Sequence, residues 1–145
     1  MDVAEELTEF GDRTDRDHIE RRIEDWQVRL RALYLDLCHW LPTGWSGEQK
    51  LDVAMHEPLM RVFSVVERRL PSLVLSKDDR LVRLEPRGLW IVGTNGRIDM
   101  ISQTRHDLLI DQADLYDQPQ WTISTFEDQL HPKPLTRERF VETLS

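Results

Sequence analysis

Residues 14–41, TDRDHIERRIEDWQVRLRALYLDLCHWL, decide the fold. Apolar side chains fall at Ile19, Ile23, Trp26, Leu30, Leu33, Leu37 and Trp40. Steps of four and three keep them on one stripe of an α-helix. Thr14 or Asp15 is placed to cap its start by accepting from an orphan backbone N–H, and Asp15, Asp17 and Glu20 suit the positive end of the helix dipole. Pro42 and Gly44 end it. The second half, with Leu33, Tyr34, Leu35, Leu37, Cys38, Trp40 and Leu41, is apolar nearly all round and is expected to be buried. The first half, with Arg21, Arg22, Glu24, Asp25, Arg29 and Arg31, keeps only a narrow apolar seam. Two arrangements fit that seam. Either the whole stripe lies on the domain's own sheet, which the size of the chain favours, or Ile19, Ile23, Trp26 and Leu30 pair with a second copy in a homodimer.

Upstream, residues 1–13 carry Asp2, Glu5, Glu6, Glu9 and Asp12 with no basic residue before Arg13. Val3, Leu7 and Phe10 make a weak helical face that Gly11 ends. The segment is read as an acidic arm, mobile or docking, attached to a single domain over residues 14–145.

Downstream of the loop at Pro42-Thr43-Gly44-Trp45-Ser46-Gly47, a second helical stretch is expected, with Leu51, Met55, Leu59, Met60, Phe63 and Val66 facing inward. Pro58 breaks it near His56 or Glu57 and restarts it. Pro71 marks the next boundary. Strand character then recurs at 73–75, 81–84, 89–92, 98–102, 107–110 and 121–124, between turns at Asp78-Asp79 and Pro86-Arg87-Gly88. Asn95-Gly96 is the strongest hairpin signal, since a tight primed turn needs positive φ at both central residues. A short helix follows Pro134, with Thr136 as its cap and Leu135 against Phe140 as a hydrophobic staple. Helices first and strands afterwards predict an α+β domain. In it the long helix and the second helical segment pack on an antiparallel meander of about five strands, followed by a short C-terminal helix.

Composition bounds the function. A chain of 145 residues buries enough surface to fold without disulfides or metals, and its single cysteine, Cys38, fits a reducing compartment. No apolar run approaches the roughly 18 residues of a membrane span, and the acidic start lacks the basic and apolar regions of a signal peptide. A cytoplasmic location without membrane contact is expected. The net charge of -8 argues against general nucleic-acid binding, which needs surplus Lys and Arg. The charge is also segregated. Residues 61–87 carry seven basic against four acidic residues, whereas 106–130 carry Asp107, Asp111, Asp114, Asp117, Glu127 and Asp128 with no Lys or Arg. An acidic face of this kind suits a basic protein partner, although such faces more often serve solubility.

Five tryptophans are an excess in a chain this short. Trp26 and Trp40 belong to the helix stripe. Trp45 and Trp121 are not explained by periodicity and are candidates for a partner surface, with closure of the core edge as the plainer role. In the expected hairpin Thr94 pairs with Arg97, Val92 with Asp99 and Trp90 with Ile101, all on one face, while Leu89, Ile91, Ile98 and Met100 form the core face. The first face mixes a ring, aliphatics and both charges, as a binding surface does, with a local Arg97–Asp99 ion pair on a solvated face as the plainer reading.

Catalytic patterns are weak. His18, His39, His56, His106 and His131 are scattered singly without metal-ligand spacing, and Cys38 and His39 point about 100° apart on a helix. No phosphate-cradling loop, nucleophile elbow or dinucleotide fingerprint is present. A pair such as Asp99 and Asp111 on neighbouring strands could hold a divalent metal, but any two aspartates in an acidic chain satisfy so loose a template. Neither a metal nor a cofactor is expected. The sequence therefore favours a non-enzymatic interaction protein of inhibitor, immunity or adaptor type. Its partner surface would hold Trp45, Trp121, Asp111, Asp114 and Asp117, together with Trp90, Arg97 and Asp99. The alternative is a small enzyme or ligand-binding domain with its site on the sheet around Trp90, Arg97, Asp99 and His106.

Overall fold

Asp15 opens the long helix, its carboxylate accepting the His18 N–H at 2.8 Å. The computed structural model describes residues 8–9, 12–13, 15–89, 95–114 and 116–145. Strands β1 (Thr8–Glu9) and β2 (Asp12–Arg13) pair antiparallel within the acidic arm. Helix α1 then runs over Arg16–Trp40, followed by β3 (Ser46–Met55), α2 (Pro58–Val62), β4 (Arg68–Lys77) and β5 (Arg80–Gly88). The chain ends with β6 (Arg97–Ile101), β7 (His106–Asp111), β8 (Trp121–Thr125), β9 (Lys133–Pro134) and α3 (Arg137–Thr143). The fold is α+β. Among the described residues its main sheet has seven antiparallel strands, not about five, ordered β3-β4-β5-β6-β7-β8-β9, so each strand lies beside its sequence neighbour. Among the described residues no helix is long and apolar enough to cross a membrane.

The α1 stripe lies on the chain's own sheet. Ile19, Ile23, Trp26, Leu30, Leu33 and Leu37 are buried with Leu73, Leu75, Leu84, Ile98, Met100 and Leu109 of the sheet. Each such side chain stabilises the fold by ~1.5–3 kcal/mol. Burial already complete within one chain leaves the Ile19, Ile23, Trp26 and Leu30 seam no free surface for a homodimer unless α1 leaves the sheet. The expected contrast between the two halves is not found, since both bury one stripe. Leu35 in the second half is 57% exposed, whereas the first half buries His18, Arg22 and Arg29 beside its apolar stripe. Helix α3 is capped as expected, with Thr136 Oγ1 accepting the Arg139 N–H at 3.2 Å, and Phe140 is fully buried.

Three expectations are corrected. The second helical stretch is mostly strand: residues 46–55 form β3, and only Pro58–Val62 is helical, beginning at the proline as anticipated. The irregular apolar spacing there supports a helix weakly, and pairing along β4 overrides it. Pro71 and Pro86 lie within strands rather than between them. Each stands at a register shift, where a missing N–H does least harm.

The third correction concerns Asn95-Gly96. Strand β6 pairs with β5, so Arg97 faces Gly88, Asp99 faces Glu85 and Ile101 faces Arg83, in place of Thr94, Val92 and Trp90. Residues 90–94, including Trp90, lie outside the described residues. Asn95 is buried at the end of β7, its N–H donating to the Asp111 carbonyl at 2.9 Å and its amide to the Ala113 carbonyl at 2.6 Å. Gly96 has φ +124°, and a Cβ there would stand 2.6 Å from the Trp26 ring. Positive φ and the lack of a side chain are needed here for docking under α1.

Candidate functional site on the second face of the sheet

Strand alternation sends Leu84, Ile98, Met100 and Leu109 towards the helices and Glu85, Asp99 and Leu108 to the opposite face, where they are register neighbours. All three described helices contribute to the core on the first face through Trp26, Met60 and Phe140. No described helix packs on the second face.

Asp99 is the centre of that second face. Its side chain is only 7% exposed, and three basic groups converge on it. Arg97, two residues away on the same strand, approaches with Nε at 2.8 Å from one carboxylate oxygen and Nη2 at 3.3 Å from the other. His106 Nε2 lies 3.1 Å from Oδ2, and Arg87 Nε lies 3.7 Å from the same oxygen. The His106 ring stacks on Phe126 with centroids 4.4 Å apart and planes 13° from parallel, and Phe126 is 44% exposed.

The charge pattern continues towards β3. Arg87 Nη2 meets Glu85 at 3.1 Å, Arg83 donates from Nε to Glu85, and Arg83 Nη2 reaches Asp52 at 3.1 Å. The Glu85 contact, with help from Asp52, holds the Arg83 guanidinium charged more firmly than usual. Asp52 in turn accepts from Ser72 Oγ at 2.8 Å, and that bond, reinforced by Arg83, keeps its carboxyl below the ordinary range. The result is a ladder of alternating charges across the sheet, three carboxylates against three guanidinium groups and one imidazole.

The structure thus gathers Arg97, Asp99 and His106 as the sheet-site alternative required, and adds Arg87, Glu85, Arg83, Asp52 and Phe126. The spacing Arg83, Glu85, Arg87 is the signal that could have placed the β5 residues, because period two puts all three on one strand face. The acidic, tryptophan-bearing surface is dispersed. Asp111 is fully buried on the helix side, accepting from Arg29 Nη1 at 2.6 Å, from the Ala113 N–H at 3.0 Å and from the Gln120 N–H at 2.8 Å. Asp114 and Asp117 are exposed, and their backbone carbonyls accept from Asn95 and Arg29 respectively. Trp121 is half-buried, its ring 6.1 Å from that of Trp26. Trp45 is half-buried with the Arg80 guanidinium 5.2 Å above its ring. Both pack on the core.

Asp99 and Asp111 point to opposite faces, which rules them out as joint ligands of one metal ion. Among the described residues, no group of three or more His, Cys, Asp or Glu side chains is arranged to hold a metal. A separate groove of about 240 Å³ between β7, β8 and α3 includes Arg105, Asp107, His131, Lys133 and Arg139. Comparison with known proteins gives no match to this chain, whether among family models, curated proteins or solved structures.

Proposed function

We propose that this chain is a non-enzymatic protein-interaction module whose recognition surface is the rim of the charged cluster on the sheet face opposite the described helices, where Arg87, Arg97 and His106 surround the nearly buried Asp99 beside Phe126. The observation that carries this reading is the convergence of three basic groups on one nearly buried carboxylate. Side chains held by such contacts lose little freedom when a partner docks, which is the advantage of a preorganised surface. Phe126 and the apolar side of Arg87 offer contact area at its rim, and the mixed charge suits a partner that presents both signs. An inhibitor or adaptor needs no more than this.

Native pull-down with mass-spectrometric identification tests the reading. A partner held by wild type should be lost from an Arg87→Ala/Phe126→Ala variant and kept by Asp114→Ala/Asp117→Ala. Loss from the second variant alone would return the surface to the acidic loop.

One contact favours a second reading. A histidine oriented by a carboxylate, as His106 is by Asp99, is the arrangement general acid–base chemistry uses. A thermal-shift screen of metals, nucleotides and common metabolites separates the two, because a specific ligand raises the melting temperature by linkage. A strong hit abolished by Asp99→Asn would favour a ligand-binding domain or enzyme.

A further inference from the structure

Strand β3 is the end strand of the main sheet, and among the described residues it pairs only with β4. Residues 46–52 are exposed in an unbroken run. A regular strand edge of this length presents a row of unpaired N–H and C=O groups, which proteins usually blunt by shortening, covering or charging the edge. Here the regular stretch ends at the register shift between Leu51 and Val53, and Glu48 and Lys50 supply the charge.

Those charges select a partner. Consider a two-fold antiparallel pairing of β3 with β3 of a second copy that keeps both sets of helices on the same side of the joined sheet. Residues facing each other must then share a sheet face, which confines the symmetry axis to a residue rather than a point between two. Centred on Glu48, the pairing sets Glu48 against Glu48. Centred on Lys50, it sets Lys50 against Lys50 and Glu48 against Asp52. Centred on Gln49, it sets each Glu48 against the second copy's Lys50, twice by symmetry, with Ser46 opposite Asp52 and Gly47 opposite Leu51. Like charges directly opposite destabilise a strand pair and opposite charges stabilise it, so the Gln49 register is the one of the three that the sequence permits.

The apolar contacts agree with this register. Leu51 is 57% exposed in the single chain. Opposite Gly47 it would lie against an apolar patch, since Cys38, Leu75 and Leu41 close over that glycine, 2.7, 3.2 and 3.6 Å from the position a Gly47 Cβ would take. We infer that β3 is a self-association edge, through which two copies of this chain pair antiparallel about Gln49 into one continuous sheet. The lysine and glutamate that repel other exposed strands complement this strand's own copy.

Sedimentation velocity on the full chain, from about 10 μM to about 1 mM, reads the result directly. The mass should rise from one chain to two across that range. Lys50→Glu and Glu48→Lys should each weaken association by about tenfold or more, and the double exchange Glu48→Lys/Lys50→Glu should restore it. All three changes lie on the exposed edge, and circular-dichroism melting should show each variant folded. A wild type that stays monomeric at every concentration overturns the inference. So does a dimer indifferent to the single exchanges, which would place the contact elsewhere.

Discussion

Arg29 on α1 and Asp111 at the end of β7 stand 82 positions apart in the chain and 2.6 Å apart in the fold. Asp25, one helical turn away, takes the Arg29 Nε at 2.7 Å. Burial works against the Arg29 charge, and the two carboxylates more than offset it, so the guanidinium is held charged beyond its ordinary range. The ion pair locks the loop after β7 to the helix. Asp111→Ala takes one of the two carboxylates from a buried cation, leaving Asp25, and frees two backbone donors, and should cost about 3 kcal/mol in urea unfolding. Arg29→Met/Asp111→Leu should cost clearly less than the sum of the two single truncations, since the buried Arg29–Asp111 pair is removed as a unit and the one carboxylate that loses a partner, Asp25, is 21% exposed to water.

Gly96→Ala tests the close approach under α1. The substitution adds a Cβ within 2.6–2.9 Å of three Trp26 ring atoms at a φ of +124° that L residues avoid. A loss of about 2 kcal/mol or more is expected. Denaturant unfolding followed by tryptophan fluorescence measures it, with a shifted native emission reporting the displaced Trp26 ring.

Asp99→Ala should behave differently. The Arg97 and His106 side chains around it are about 27% and 29% exposed and can be rehydrated when the carboxylate is lost. The expected cost is therefore about 1 kcal/mol, within reach of thermal melting, and the fold should survive. A loss as large as that for Asp111 would show that this cluster is needed for folding.

Tyr34 supplies a pH signature. Its hydroxyl is buried and donates to the Pro71 carbonyl at 3.0 Å, and burial pushes its ionisation well above the ordinary tyrosine range. A folded value raised above the unfolded one contributes stability that is complete below about pH 10 and is lost as the pH climbs towards the folded value. Wild type should therefore lose stability above about pH 10 more steeply than Tyr34→Phe. Phenolate absorbance during an alkaline titration should show one tyrosine ionising only with unfolding.

The α1 stripe, its cap and stop, and the cap of α3 were legible in the sequence because helix signals are local. Asp15, Pro42 and Thr136 act within a few residues of themselves. Strand β3 was not legible, because what makes Ser46–Met55 a strand is the edge of β4, not a preference of its own. Asn95-Gly96 misled for a related reason. Its positive φ is real at Gly96, but Trp26 and Asp111, both distant in sequence, determine what that geometry serves. The site was half legible. Strand alternation grouped Arg97, Asp99 and His106 on the sheet, while Arg87 joins them only through the pairing of β5 with β6. Asp111 had looked like surface charge because an acidic run gives no hint of a buried arginine opposite it.

Sheet order that follows chain order has a kinetic consequence. From β3 to β9 each strand can close on the one just before it, so the sheet grows by short loop closures of small entropic cost. Laying α1 across the finished sheet brings together residues as distant as Arg29 and Asp111, and is the step with the longest closure. Hairpins should therefore form early and the helix should seat late. Arg29→Ala should then speed unfolding and leave refolding almost unchanged in a chevron experiment. The persistence of the native state is governed by how rarely α1 lifts from the sheet.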